Sequence, residues 1–375
     1  MSWRKSGAQI AGIKLMTDNG HDGHNDHHIS LAELAERLTL AKGTVSAVLN
    51  NSPHAASIPQ HTKDRIWAAA RQYNYRPNYF ARSLRNKKTY TIGVLVEEIG
   101  DPYGSEIISG IDYALSERRY FYLTVSHRHT SELLQQYCDI LCMRGVEGII
   151  TIDTILTNIP DLPTIAVAGH RQLPGVTNIV LDHVKAADMI LKHLFELGHR
   201  EIAVIRGQEF SADSEERFRT ICAAAEQLNV PIRPELTIQL VENDFSSVPG
   251  YRATKELLSR NVPFTALLAY NDRSCFGAVR AIREAGFSVP DDISVVGFDD
   301  IRENTYHVPA LTTIRQPLRR MGEMAAETLV ARIQGWQNYP DTIAVAPEFI
   351  VRDSTAKAKK RTTVSRAATA PKIRQ

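Results

Sequence analysis

The sequence predicts an α/β protein in which a small all-helical N-terminal domain precedes a larger core built on parallel sheets. Two short amphipathic segments lie close together between residues 30 and 50. From Tyr90 onward, short β-branched runs alternate with helical patterns, and this series occurs twice. Such alternation is typical of right-handed βαβ units, whose helices cover both faces of a parallel sheet. The length of 375 residues, with 43% hydrophobic and 23% charged residues, is sufficient for two or three folded units.

The first amphipathic segment carries the signature of a helix start. Ser30 and Glu33 have the spacing of a capping box, which satisfies free backbone amides at the first turn. Apolar residues with helical spacing follow on one face: Leu31, Leu34, Ala35 and Leu38. We therefore predict a short helix here.

The second segment has its own apolar face and an outward face. The apolar face consists of Val45, Val48 and Leu49, and the outward face of Thr44, Ser46 and Ala47. A third helix, from about Thr62 to Tyr73, is expected to close a small core with Ile66, Ala69, Ala70 and Tyr73. This is the pattern of a helix-turn-helix module, whose second helix enters the major groove of DNA. A generic helical hairpin at a domain edge is the alternative.

Charge is distributed unevenly along the chain and favours the DNA interpretation. Residues 29–90 hold ten Lys or Arg against three Asp or Glu, whereas residues 91–353 hold 24 basic and 36 acidic residues. The last segment, 354–375, carries seven basic residues and no acidic one. A positive segment beside a helix of groove size is typical of phosphate binding, and an acidic body is repelled by the phosphates.

Two motifs resemble those of the lactose/galactose repressor (LacI-type) family of bacterial transcription regulators. TVSAVLN, at 44–50, resembles the recognition helix of that family, and YRPNYFARSL, at 75–84, resembles its linker, or hinge helix. The resemblance extends to about Thr355. It implies a cytoplasmic homodimer that binds a palindromic double-stranded DNA operator and represses carbohydrate-utilisation genes under the control of a small, sugar-like effector.

The resemblance also implies a division of the chain. After a disordered leader (1–28) we expect a helix-turn-helix domain (29–74), a hinge helix or linker (75–89), an effector-binding and dimerisation core (90–353) and a basic disordered tail (354–375). The core resembles periplasmic binding proteins. We expect its N-terminal subdomain at about 90–181 and 313–341, and its C-terminal subdomain at about 182–312 and 342–353.

DNA contacts are carried over from the family residue by residue. In and beside the second helix they fall on Lys42, Gly43, Thr44, Ser46, Ala47 and Asn50, and in the linker on Tyr75, Arg76, Asn78, Arg82, Leu84 and Arg85. The chain departs from the family pattern at several points. Ala47 replaces a frequent base-reading arginine, Ala41 occupies the usual N-cap serine and Thr39 stands where a turn glycine is usual. Direct readout is then left chiefly to Lys42, which can donate to guanine.

Effector contacts are carried over in the same way, and polar residues at strand ends suit them because ligands of parallel sheets lie beyond the carboxyl ends of the strands. The family positions are matched by Tyr103, Arg219, Phe245, Asn271 and Asp299. Acid, amide and arginine can bind vicinal hydroxyls, and an aromatic face can pack on a sugar ring. Three departures leave the effector open to a nucleobase or sugar phosphate: Ala168 for an acidic residue, Cys222 for a glycine and Gly104 for an aromatic.

Other classes of protein find little support in the sequence. No catalytic triad, paired-carboxylate signature or Gly-rich phosphate loop is present, so we expect neither an enzyme nor a cofactor. We expect no metal site, since the His-rich run at 21–28 lacks completing ligands. The four cysteines are expected to be reduced, and no run of apolar residues is long enough to span a membrane. A solute-binding protein remains the chief alternative, although it would have no use for the DNA module.

Overall fold

The computed structural model describes residues 29–76, 83, 88–156, 161–242, 244 and 246–359. The chain divides into two compact units between Lys87 and Lys88. No helix in the described ranges is both long and apolar enough to cross a membrane.

Residues 29–76 of the N-terminal unit form a three-helix module. Its helices are α1 (Leu31–Leu38), α2 (Lys42–Leu49) and α3 (Gln60–Gln72), with a 3-10 turn at Pro53–Ser57. The predicted capping box is present, because the Glu33 amide donates to Ser30 Oγ and the Ser30 amide donates to Glu33 Oε2. A core of aliphatic residues from all three helices fixes their arrangement: Leu34, Ala35, Leu38, Val45, Val48, Leu49, Ile66, Ala69 and Ala70.

The second unit contains twelve described strands and seven described helices in an alternating order. In chain order they are β1 (Thr91–Val96), α4 (Pro102–Glu117), β2 (Phe121–Ser126), α5 (Ser131–Met143), β3 (Gly148–Ile152), β4 (Thr164–Val167), β5 (Val176–Leu181), α6 (His183–Glu196), β6 (Ile202–Arg206), α7 (Ala212–Gln227), β7 (Thr237–Gln239), α8 (Val248–Ser259), β8 (Ala266–Leu268), α9 (Asp272–Glu284), β9 (Ser294–Asp299), β10 (Thr312–Arg315), α10 (Leu318–Ile333), β11 (Thr342–Val345) and β12 (Glu348–Ile350).

These elements form two six-stranded sheets, as the predicted α/β class requires. The first half of the core has the order β11-β5-β4-β3-β1-β2, and the second half has the order β12-β10-β9-β8-β6-β7. Neighbouring strands are parallel except for β12, which runs antiparallel to β10. The central strands are buried on both faces, and this explains their continuous apolar runs.

Two predicted boundaries of the halves are wrong. Strand β10 still belongs to the second sheet, so the chain returns to the first half after Arg315 rather than at residue 313. Strand β11 pairs with β5, so residues 342–345 belong to the first half, and the last crossing falls at residues 346–347. The predictions failed because both strands are short, and pairing with a neighbour, rather than local pattern, decides which sheet each one joins.

The predicted tail also begins too early. Ser354 is buried, and its hydroxyl donates to the Val295 carbonyl at 2.6 Å. Lys359 lies 3.3 Å from Asp292. Residues 354–359 therefore pack on the second half, and only the remainder of the predicted tail lies outside the described residues.

Helices α4 and α10 approach each other closely enough to exclude side chains at two positions. A Cβ atom on Gly110 would lie 1.9 Å from the Arg319 carbonyl oxygen, and one on Gly322 would lie 2.0 Å from that of Ile107. This contact fixes the start of α4 relative to the crossing that precedes α10. The first turn of α4 contributes to the cavity described next.

Candidate functional site

The described core contains a cavity between its two halves, at the carboxyl ends of the central strands. It encloses about 910 Å³ when its open mouth is included. The first half contributes Glu97, Asp101, Tyr103 and Asp153, and the second half contributes Asp213, Arg217, Asn271 and Asp299. A cleft lined by a few convergent polar groups suits a small-molecule ligand.

Asp299 lies at the end of β9, where the sequence places it, and lines the cavity. Gln316 Nε2 donates to its Oδ1 at 2.7 Å, and burial raises the pKa of this carboxyl well above its usual range. Its φ of 111° is unusual for a residue with a side chain, and strained backbone of this kind clusters at functional sites. The Asp299 carboxyl group therefore lines the cavity in a position fixed by its hydrogen bond with Gln316.

Asn271 both caps a helix and lines the cavity. Its Oδ1 accepts from the Ser274 amide at 2.9 Å and from the Ser274 hydroxyl at 2.8 Å, so it caps helix α9. The residue also lines the cavity. Capping fixes the side-chain oxygen and aims this end of α9 at the ligand space.

Of the two predicted aromatic effector contacts, the structure describes Tyr103 but not Phe245. Tyr103, in the first turn of α4, lines the cavity, and its buried hydroxyl has no hydrogen-bond partner among the described residues. Phe245 lies outside the described residues, whereas its neighbours Asp244 and Ser246 line the cavity.

The prediction that Arg219 points into the cleft is wrong. Its side chain is 59% exposed and pairs with Glu216 at 2.6 Å on the outer face of α7. Arg217 lines the cavity instead, since two residues along a helix correspond to roughly 200° of rotation. Sequence analysis therefore assigned the family's arginine position two residues too late. Residues four apart lie on the same face of a helix, so the pair Asp213 and Arg217 could have indicated the correct arginine. Sequence analysis placed the family's glycine at Cys222, three residues after Arg219. With Arg217 as the family arginine, the same spacing places that glycine position at Thr220.

Arg217 is held on several sides. Its guanidinium donates to Asp213 Oδ2 at 2.8 Å and to the Tyr270 carbonyl. It also lies 3.7 Å from the centre of the Phe298 ring. Planar stacking together with directed hydrogen bonds is the geometry that favours arginine over lysine.

Asp153 is a cavity residue that the sequence reasoning missed. It follows β3 directly, and Asp299 is the last residue of β9, so the rule that ligands lie beyond strand ends would have identified both. Its carboxylate accepts from the Ser211 hydroxyl at 2.9 Å and from the Ala212 amide at 2.8 Å. A residue of the first half thus satisfies the helix start of α7 in the second half, and it stabilises the closed arrangement of the two.

Glu97 and its surroundings form a second group that was missed. Glu97 lies just after β1, and His129 Nδ1 lies 3.2 Å from its Oε1. Burial, together with the neighbouring carboxylates Asp101 and Asp213, raises the pKa of Glu97 to about 9. The His129 ring in turn lies 3.7 Å from the ring of Phe210 in the second half. These contacts again join the halves beside the cavity.

In the N-terminal unit, helix α2 is exposed at its start and becomes more buried toward its end. Lys42 and Gly43 are exposed, and Thr44 and Ala47 are half-buried. The prediction that Ser46 faces outward is wrong, because it is 7% exposed and its Oγ accepts from Asn50 Nδ2 at 3.2 Å. Ser46 lies three residues before the buried Leu49, so the two side chains share one face of α2.

The predicted linker contacts are only partly described. Tyr75 is half-buried against the helical core of the N-terminal unit, and Arg76 is exposed. Asn78, Arg82, Leu84 and Arg85 lie outside the described residues.

Comparison with known proteins gives consistent matches. The model of the periplasmic binding protein-like domain matches residues 191–355. The HTH-type transcriptional repressor PurR of Erwinia tasmaniensis is 31% identical over 339 residues, which cover 87% of this chain and 97% of that protein. The protein of the same name from Yersinia pestis is 30% identical over 336 residues, with the same coverage.

Solved structures match along nearly the same length. The lac repressor dimer bound to operator and the anti-inducer ONPF has a TM-score of 0.78 at 25% identity, and the match covers 88% of this chain and 99% of that one. A LacI family regulator from Enterococcus faecium with bound ribose has a TM-score of 0.64 at 30% identity, covering 72% of this chain and all of that one. The helical unit, the two-sheet core and these matches together place the chain in the LacI family of bacterial transcription regulators, as a DNA-binding regulator with a ligand-binding core.

Proposed function

We propose that the protein is a homodimeric repressor of carbohydrate-utilisation genes, acting in the cytoplasm, whose affinity for a palindromic operator is set by a small polyhydroxylated effector. The observation that carries the proposal is the cavity, where buried acceptors and a fixed guanidinium converge from both halves. The carboxyl groups of Asp153 and Asp299 can exchange hydrogen bonds with sugar hydroxyls, and Arg217 can donate to ring or hydroxyl oxygens. Tyr103 offers a further hydroxyl.

The charge of the cavity wall supports a neutral effector over a phosphorylated one. Among the lining residues, carboxylates outnumber guanidinium groups, since only Arg217 and Arg273 are cationic. A phosphate would have only these two guanidinium groups to balance its charge, and the buried carboxyls of Glu97, Asp153 and Asp299, whose pKa values are raised, would have to stay protonated beside it. A nucleobase is the second candidate, because its ring N–H groups suit the same acceptors.

The DNA end is proposed to work through α2 and the linker. Lys42 is expected to read a base edge, with Gly43, Thr44 and Ala47 allowing close approach. Arg82 and Arg85 are expected to contact phosphates, and Leu84 to wedge into the minor groove at the centre of the operator. Ser46 and Asn50 are expected to act by positioning this surface, since each bonds to the other.

The test begins with selection of an operator from a randomised DNA pool by the full-length protein. Fluorescence anisotropy then follows operator affinity while pentoses, hexoses, disaccharides, their phosphates and nucleobases are added in turn. A neutral sugar should change operator affinity at least about fivefold, the lower range of allosteric coupling. Selection of no sequence would refute DNA regulation, and a response to phosphorylated sugars alone would refute the proposed effector class.

A further inference from the structure

A cluster of two histidines and one aspartate lies beside the cavity, where the halves of the core meet. His170 follows β4 in the first half, His183 begins α6 just after the chain crosses to the second half, and Asp213 lies in the first turn of α7. One nitrogen of each imidazole and one oxygen of the carboxylate all lie within 4.8 Å of one another. Sequence analysis predicted no metal site because the His-rich run at 21–28 lacks completing ligands, and His170, His183 and Asp213 are too far apart along the chain to form a local motif.

We infer that His170, His183 and Asp213 form a binding site for a divalent transition-metal ion such as Zn²⁺, Ni²⁺ or Co²⁺. Two imidazoles and one carboxylate are ligands that these ions accept, whereas Mg²⁺ and Ca²⁺ prefer oxygen alone. The inference goes beyond the proposed function and does not depend on it.

The geometry of the cluster suits a metal ion. With metal–ligand bonds of about 2.0–2.2 Å, two ligand atoms of a tetrahedral site are separated by roughly 3.3 Å. His183 Nε2 and Asp213 Oδ1 are 3.2 Å apart. His170 Nε2 contacts the same oxygen more closely, so that ring has to move outward to admit the ion. Its side chain is 17% exposed, against 3% for His183, and is the one with room to do so.

The surroundings hold the aspartate and one of the imidazoles in place. Arg217 donates to Asp213 Oδ2, which leaves Oδ1 directed at the imidazoles. Hydrogen bonds of this kind orient ligating carboxylates in metalloproteins. Asp153 accepts from the Asp213 amide at 3.3 Å, so another carboxylate lies close by. The ring of His183 stacks on Phe298 at 6.0 Å, which fixes its plane.

A metal ion bound here would join the two halves beside the cavity. His170 comes from the first half, whereas His183 and Asp213 come from the second. An ion held by all three stabilises the arrangement in which the halves are closed, since opening would remove at least one ligand. The site would therefore bias the same closed state that surrounds the effector cavity.

The test uses the full-length chain, stripped of metal with a chelator and titrated with Co²⁺ while its visible d–d absorption is recorded. His170→Ala should lose one bound ion per chain and weaken binding at this site at least roughly 100-fold, the upper range seen for lesser changes around metal ligands. His61→Ala, which removes an exposed histidine of the N-terminal unit, is the matched control and should behave as wild type. The histidines at 21–28 contribute equally to all variants.

Two further measurements keep the outcome decisive. Asp213→Asn tests the carboxylate, and circular dichroism without metal shows whether each variant is folded. His170→Gln replaces His170→Ala if the latter is unfolded. Zn²⁺ should displace the Co²⁺ spectrum in wild type, and Mg²⁺ should not. Equal Co²⁺ stoichiometry and equal spectra in wild type and a folded His170 variant would overturn the site.

Discussion

Substitution of Arg217 compared with Arg219 tests the assignment of the cavity arginine. Arg217 is 5% exposed and its partner Asp213 is 2% exposed, so Arg217→Ala leaves a buried carboxylate without its guanidinium. Removing one partner of a buried pair destabilises a protein by roughly 3–5 kcal/mol, and the remaining contacts of Asp213 with His170 and His183 should keep the loss at the lower end of that range. Arg219 pairs only with Glu216 on the outer surface, and Arg219→Ala should leave stability unchanged. The two substitutions are chemically identical and lie on one helix, so each is the control of the other.

The assay is urea denaturation of the full-length protein followed by circular dichroism, with calorimetry to separate the transitions of the two units. Arg217→Lys extends the test to function, because it keeps the charge but loses the planar pair of donors. It should weaken the response to effector while operator affinity without effector stays near wild type. An equal loss of stability in Arg219→Ala and Arg217→Ala, or an effector response that depends on Arg219, would refute the reasoning.

Three further substitutions have outcomes set by the structure. Thr39 has a φ of 54° at the end of α1, and Thr39→Gly should stabilise the helical unit by up to about 1 kcal/mol in calorimetry, because glycine adopts this conformation freely. A lower transition temperature would contradict this. The Glu97 pKa of about 9 exceeds its usual value of 4.5, so the folded state binds the extra proton and stability should fall as pH rises between these values. The slope is at most about 1.4 kcal/mol per pH unit. The urea midpoints near pH 6 and pH 8 should differ less in Glu97→Gln than in wild type. An equal difference in the two proteins would show that Glu97 does not contribute to the pH dependence of stability. Lys42→Ala should reduce discrimination at one operator base pair by about 1–3 kcal/mol, and a uniform loss across a randomised library would show that Lys42 contacts phosphate only.

Local signals in the sequence were sufficient for the elements whose cause is local. The capping box at Ser30 and Glu33 depends on two residues three apart, and the buried strands depend on runs of β-branched residues. Asp299 was found because it ends such a run. Asp153 satisfies the same rule, because it directly follows the apolar run of β3.

Features that depend on distant contacts could not be read from sequence. Whether β11 pairs with β5 or continues the second sheet is decided by neighbours more than 150 residues away along the chain. Ser354 is ordered by a hydrogen bond to Val295, and nothing in its own basic surroundings indicates this. The cluster of His170, His183 and Asp213 is likewise produced by the closing of two halves.

The contacts between the two halves determine how much an effector must favour the closed state of the core over an open one. Asp153 caps α7 and His170 meets Asp213, so the closed state already has favourable interactions before any ligand enters. A ligand can shift the equilibrium between open and closed states only by the difference in its affinity for the two. An effector that bridges Asp153 in one half and Arg217 in the other gains most of its interactions only on closure. A ligand held by the second half alone would bind without moving the halves, and it would therefore compete with the effector without changing operator affinity.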